Sequence, residues 1–362
     1  VANETLAQLS NLFMYSAIAV YMLAFFAYCA EWAFGSRGRV AVHSARTTAP
    51  APERELVGAG VGARPGAPAR PGPAERLTGR GRDGARPTGP RDGDLVADQG
   101  DVAGGDPQAD RYGRIAVSLT LLGFVLHAAA VLSRGLSVRR APWGNMYEFS
   151  TAVALMLVVA YLVMLFRFRQ RWLGLFVMVP LIATLGVAVT VLYTESDQLV
   201  PALDSYWIWI HVASATASFA AFHIGAIASV LYLFKDARER RAAAGAPLGR
   251  GGRLLDRLPS AATLDRTAYR VNAVIFPLWT FAIVVGAVWA ESAWGRYWGW
   301  DPKETWSFIT WVAYAAYLHA RATAGWKGRR AAVISLVGFA CFVFNYYLVN
   351  IFFEGLHSYG GV

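Results

Sequence analysis

Residues 294–306 read WGRYWGWDPKETW and pack four tryptophans, a tyrosine and two carboxylates into thirteen positions. Trp294 and Trp298 stand four apart, so on a helix they would share one face; Trp300 and Trp306 follow directly. Tryptophans spread among several helices make an interfacial belt at a membrane surface. Four of them in one short segment instead suit a flat hydrophobic platform for a planar ligand. The order Asp301, Pro302, Lys303, Glu304 matches the N-cap, N1, N2 and N3 positions of a helix, with Asp301 accepting from early backbone N–H groups and Glu304 reaching back to the cap. Such a cap is worth about 1 kcal/mol, and on the sequence alone capping is the better account of both carboxylates.

The six histidines are the second chemical signal. His211 opens an apolar stretch just after Asp204 and Ser205, and His357 lies past the last apolar stretch and Gly355. Neutral imidazole is a good ligand for haem iron, and a porphyrin needs apolar, aromatic walls, so two histidines flanking the tryptophan segment suit axial ligation. Taken singly, an interfacial histidine is ordinarily a hydrogen-bonding residue, and a zinc site would need a third ligand. His127, His223 and His319 fall inside apolar stretches, where ionisable residues are rare and commonly functional. From the helical rise, His319 lies about 20 Å and His223 about 24 Å along their helices, in the inner half, and His127 lies in the outer half. A neutral histidine bonded between helices is the simple account of His127 and His223. His43 falls in a linker.

These residues must be held by membrane helices. The 362-residue chain is 56% hydrophobic and 16% charged, with a mean hydropathy of +0.36, well below the charge content of soluble domains (about 25%). Eight stretches reach the roughly 20 apolar residues of a span, near 11–34, 114–133, 147–166, 172–193, 207–234, 272–291, 306–322 and 332–353. The first lacks a basic leader and a small-residue cleavage signature, and the arginines after it read as a stop-transfer flank. Strict alternation puts 29 of the 34 Lys and Arg residues on one side, leaving Arg134, Arg139, Arg140, Arg296 and Lys303 on the other. The positive-inside rule then faces both termini, the tryptophan segment, His211 and His357 outward. Those five outward cations could pair with ligand carboxylates or with lipid headgroups.

The fold expected is therefore all-α and integral to the membrane. It comprises a first helix at 1–35, a linker at 36–111 and a seven-helix body at 112–362. The linker has no Phe, Trp or Tyr and nine of the sixteen prolines, a composition that does not fold. Cys29 and Cys341 form neither a disulfide framework nor a CxxC motif. A net charge of +10 is accounted for by cytoplasmic arginines without nucleic acid.

The segments WGRYWGWDPKETWSFITW and YLHAR, with WIWIHVASA before them and GLHSYG at the end, resemble the CcsA family of cytochrome c biogenesis proteins, also called ResC-like and, in actinobacteria, CcsB. The similarity runs from about residue 112 to the C-terminus, and related tryptophan motifs occur in CcmC and CcmF of the other bacterial maturation pathway. The resemblance implies that His211 and His357 hold haem b (iron protoporphyrin IX) at the outer face of a bacterial plasma membrane. It implies that Trp294, Gly295, Trp298, Trp300, Asp301 and Glu304 present it, with Trp306 adjoining the platform. It assigns His319 to an intramembrane haem site whose fellow ligand comes from a ResB-type partner, or here from His223. The implied activity is that of a holocytochrome c synthase (haem lyase) subunit. With its partner, it would promote thioether attachment of haem to the CxxCH motif of apocytochrome c, supported indirectly by thiol-reducing proteins. A haem exporter would use the same histidines. A respiratory cytochrome b subunit would pair them within the bilayer.

Overall fold

The computed structural model describes residues 3–48, 107–195, 203, 205–247 and 252–357, and all regular elements among them are helices. They are α1 (Glu4–Thr48), α2 (Pro107–Ser137), α3 (Met146–Phe168), α4 (Leu173–Thr190), α5 (Tyr206–Ala243), α6 (Ala261–Trp294), α7 (Pro302–Ala322) and α8. The last is α-helical over Arg329–Val343, π-helical over Phe344–Leu348 and α-helical again over Val349–Phe352. A single turn, Arg253–Asp256, precedes α6.

Seven of these helices are long and apolar enough to cross a membrane. The expected span at 306–322, α7, has the length (21 residues), but its Trp, Tyr and flanking charges lower its hydropathy. The first helix runs on to Thr48 and the second starts at Pro107, so both ends of the expected linker are helical. Residues 49–106 lie outside the described residues.

Ion pairs and caps show that successive helices alternate in direction. At one end, the Asn3 N–H donates to Ser137 O (2.7 Å), Asn11 to the Tyr193 hydroxyl (2.8 Å), and Leu356 N–H to Asp301 (2.9 Å). Trp143, between α2 and α3, meets Trp209 of α5 there at 5.1 Å. At the opposite end, Arg171 bridges Glu31 (2.8 Å) and Asp110 (3.0 Å), Arg321 pairs with Asp265 (2.7 Å), and Arg329 with Asp236 (2.7 Å).

Two cores fill the bundle. One joins α1 to α4 through Tyr21, Tyr28, Leu157, Tyr161 and Leu181; the Tyr28 and Tyr161 hydroxyls bond each other at 2.7 Å, satisfying polar groups in an apolar interior. The other joins α5 to α8 through Phe219, Phe222, Trp279, Tyr314 and Phe342.

The start of α3 is fixed by a buried charge cluster. Asn145 caps the helix by accepting from Glu148 N–H (2.9 Å). Glu148, fully buried, accepts from Arg134 Nε (3.1 Å), Arg140 (2.7 and 3.2 Å) and Gly144 N–H (2.7 Å). Arg134 also donates to Thr194 O and lies over the Tyr147 ring. The network ties the ends of α2 and α4 to α3, the helix whose first turns wall the cavity described next.

Candidate functional site

An apolar cavity opens at the end where α5 and α7 begin and α6 and α8 finish, with an empty volume of about 1170 Å³, its mouth included. That is as large as the upper range of small-molecule sites, roughly 1,000 Å³. Both candidate histidines line it. On α5 the inward face repeats at helical spacing as Ile208, His211, Ala215 and Phe219, and on α6 as Trp279, Ile283, Gly286 and Ala290. Below the histidines, Phe219 and Phe342 stack with centroids 4.5 Å apart and planes 9° apart, and Trp279 packs on Phe342 at 4.5 Å.

His211 is held by backbone. Its Nδ1–H donates to Ala282 O at 2.8 Å, which leaves Nε2 as a bare lone pair, the tautomer a metal ligand needs. The ring lies so close to α6 that only glycine fits opposite it: a Cβ on Gly286 would stand 2.6 Å from the imidazole.

His357 arrives on the chain after α8 and is held by a carboxylate. Its Nδ1 lies 3.4 Å from Asp301 Oδ1, within ion-pair range though outside hydrogen-bond geometry. A carboxylate behind Nδ1 directs Nε2 outward, the usual arrangement behind a ligating histidine. One indole joins the pair: Trp289 stacks on His211 (6.0 Å, 14°) and meets His357 edge-on (5.6 Å, 64°).

The loop 295–301 is shaped by its ends. Gly295 closes α6 in the left-handed region (φ 69°), with its N–H on Glu291 O at 2.8 Å. The helix therefore stops at Trp294, and Trp294 and Trp298 do not share a helical face as their spacing suggested. The tryptophans instead take four stations. Trp298 lines the cavity, Trp294 packs on His357 at 4.7 Å, Trp306 lies against Phe344 at 4.1 Å, and Trp300 is 64% exposed. Trp300 also has φ 59°, a conformation that costs a non-glycine residue about 1 kcal/mol.

Asp301 and Glu304 do form the expected capping box of α7, and they do more. Glu304 accepts from Arg296 (3.0 Å), Gly299 N–H (2.8 Å) and Asp301 N–H (3.1 Å), which fastens the whole loop to α7. Asp301 accepts from Lys303 N–H and Leu356 N–H while facing His357. Burial alone would raise its carboxyl pKa, but His357 and these two N–H groups hold it below the ordinary carboxylate value.

The remaining histidines lie elsewhere. His319 sits near the far end of α7, exposed and outside the cavity. His223 donates from Nδ1 to Phe219 O of its own helix (2.9 Å) and packs between Phe219 and Phe339; among the described residues no hydrogen bond or ring contact joins it to His319. His127 is fully buried beside the Tyr21 hydroxyl at 3.5 Å. Sequence reasoning missed Trp289 and Gly286, because both lie inside an apolar run where nothing but the inward spacing on α6 marks them.

The site and fold define a polytopic helical membrane protein that brings two imidazoles to one aromatic-walled cavity. A family model for cytochrome c assembly proteins matches residues 143–357, which contain both histidines and the whole tryptophan loop. The chain belongs to that family, and its work lies in cytochrome c maturation. It is 33% identical over 286 residues to the cytochrome c biogenesis protein CcsA of Porphyra purpurea, covering 70% of this chain and 89% of that one. With CcsA of Synechococcus elongatus it is 41% identical over 200 residues, 46% and 62% of the two chains. Among solved structures it is similar in fold to the cytochrome c haem lyase CcmF. There the TM-score is 0.55 and the identity 16%, over 95% of this chain and 47% of the larger one.

Proposed function

We propose that this chain binds haem b as a substrate on His211 and His357 and presents it to the CxxCH motif of apocytochrome c, as the haem-handling subunit of a holocytochrome c synthase. The observation that carries the reading is the convergence of two imidazoles on one apolar cavity, one with Nδ1 bonded to a carbonyl and the other with Nδ1 facing a carboxylate. Bound haem supplies two vinyl groups, across each of which a cysteine S–H adds, the sulfur to one carbon and the hydrogen to the other. The chain's part is to hold the iron from the sides of α5 and the tail, and to keep the walls dry with Phe219, Trp279, Trp289 and Phe342. It also leaves the mouth open to a peptide. The cations of α3–α4, α5–α6 and α7–α8 lie at the opposite end, which supports an outward-facing cavity in a bacterial plasma membrane.

The test is the absorption spectrum of purified protein titrated with haem. Low-spin bis-imidazole bands are expected in the wild type and lost when both histidines are changed. Retention of those bands in the double variant would overturn the assignment.

Two further outcomes follow from the geometry. Asn caps a helix as well as Asp, so Asp301→Asn should shift thermal stability by less than about 1 kcal/mol. It removes the charge behind His357, so cytochrome c assembly should fall about tenfold to a hundredfold. Parallel loss of folded protein and of assembly would assign Asp301 to structure alone.

His319, exposed on α7, is suited to a haem shared with a ResB-type membrane partner. His319→Ala is expected to leave thermal stability unchanged and to lower the haem recovered from the complex with that partner, read by pyridine haemochrome. Equal recovery would remove His319 from the pathway.

A further inference from the structure

Among the described residues, five Lys or Arg stand at the cavity end of the bundle, and four are accounted for. Arg134 and Arg140 are held on Glu148, and Arg296 on Glu304 at 3.0 Å. Arg139 is exposed and does not line the cavity. Lys303 does line it. Its ammonium reaches only the Asn345 carbonyl, at 3.4 Å, and among the described residues it has no ion pair.

The two nearest carboxylates are occupied. Asp301 serves Leu356 N–H, Lys303 N–H and His357, and Glu304 serves Arg296 and two backbone N–H groups. Burial in this largely apolar chamber lowers the Lys303 ammonium to a pKa of about 7; an unpaired cation is costly there, and an incoming carboxylate would favour the charged form.

We propose that Lys303 receives a carboxylate of the molecule that occupies the cavity, and so decides which way round a porphyrin dicarboxylate lies between His211 and His357. This rests on the haem reading above. The propionates and the vinyls occupy opposite edges of the haem ring, so a propionate anchored at Lys303 turns the vinyl edge away from α7.

The experiment titrates purified wild type, Lys303→Met and Lys303→Arg with haem and with haem dimethyl ester, following the bis-imidazole bands. A charge-assisted hydrogen bond corresponds to about tenfold to a hundredfold in affinity. The wild type should prefer the free acid by that factor. Lys303→Met should lose the preference while binding the diester as the wild type does, which also shows the variant to be folded. Lys303→Arg should keep it. A wild type that binds both porphyrins equally, or a Lys303→Met variant that weakens both alike, would overturn the assignment while leaving the haem site standing. Failure of the wild type to bind either porphyrin would instead overturn the haem reading, and this assignment with it.

Discussion

Cytochrome c assembly should fall to background in His211→Gly and in His357→Gly, and should return in part when imidazole is added to the medium. Each substitution removes a ring and leaves a cavity of its shape beside Trp289, which touches both imidazoles. Free imidazole should be able to replace the proposed iron ligand because the cavity opens at the bundle end. The two should differ in degree. The place of His211 is pre-formed, since Ala282 O remains to accept from the added ring and Gly286 leaves room for it. The place of His357 depends on a tail that the substitution itself makes more flexible, so rescue there should need more imidazole. Assembly is read by haem staining of membrane cytochromes. Wild-type levels in both variants would remove the two-ligand site.

Glu148→Gln should be the most destabilising single change outside the cavity. The side chain is fully buried and holds two guanidinium groups that are themselves 4% and 8% exposed. The amide is nearly isosteric, so the packing survives, but Arg134 and Arg140 are left as buried charges without a counter-ion. Breaking a buried pair by removing one partner costs about 3–5 kcal/mol. Thermal unfolding in detergent should show this loss, and the exposed Arg139→Gln should show almost none. A Glu148→Gln variant within about 0.5 kcal/mol of the wild type would mean that water reaches the arginines.

The helices were legible because a membrane span is written in composition: the apolar stretches near 147–166, 172–193 and 207–234 reappear as α3, α4 and α5, with the ends displaced by a few residues except where α5 runs on past 234 to Ala243. Where they stop was harder. Gly295 stands in plain view in the sequence, yet the spacing of Trp294 and Trp298 suggested a helix running through it; the left-handed conformation of that one residue redirects the loop. The capping box was readable from local order. The second duty of Asp301 was not, because Leu356 and His357 reach it from 55 and 56 positions away. Glu148 drew no notice for a different reason: Arg134, Arg140 and Glu148 are close in sequence, but only the packing of α2, α3 and α4 closes water out around them.

The π-helical segment Phe344–Leu348 acts as a gear in the last helix. An i→i+5 turn accommodates one residue more than an α-turn, so everything beyond it is rotated by roughly 100° relative to a straight helix. Asn345, within the segment, spends its carbonyl on Lys303 and its amide on Ser307, so α7 itself grips the point where the extra residue is taken up. The phase of that single residue sets the bearing of the tail and with it the side from which His357 enters. The approach of the tail that carries the proposed ligand His357 is thus set about ten residues upstream, in the length of the chain between two contacts, before Asp301 orients the ring itself.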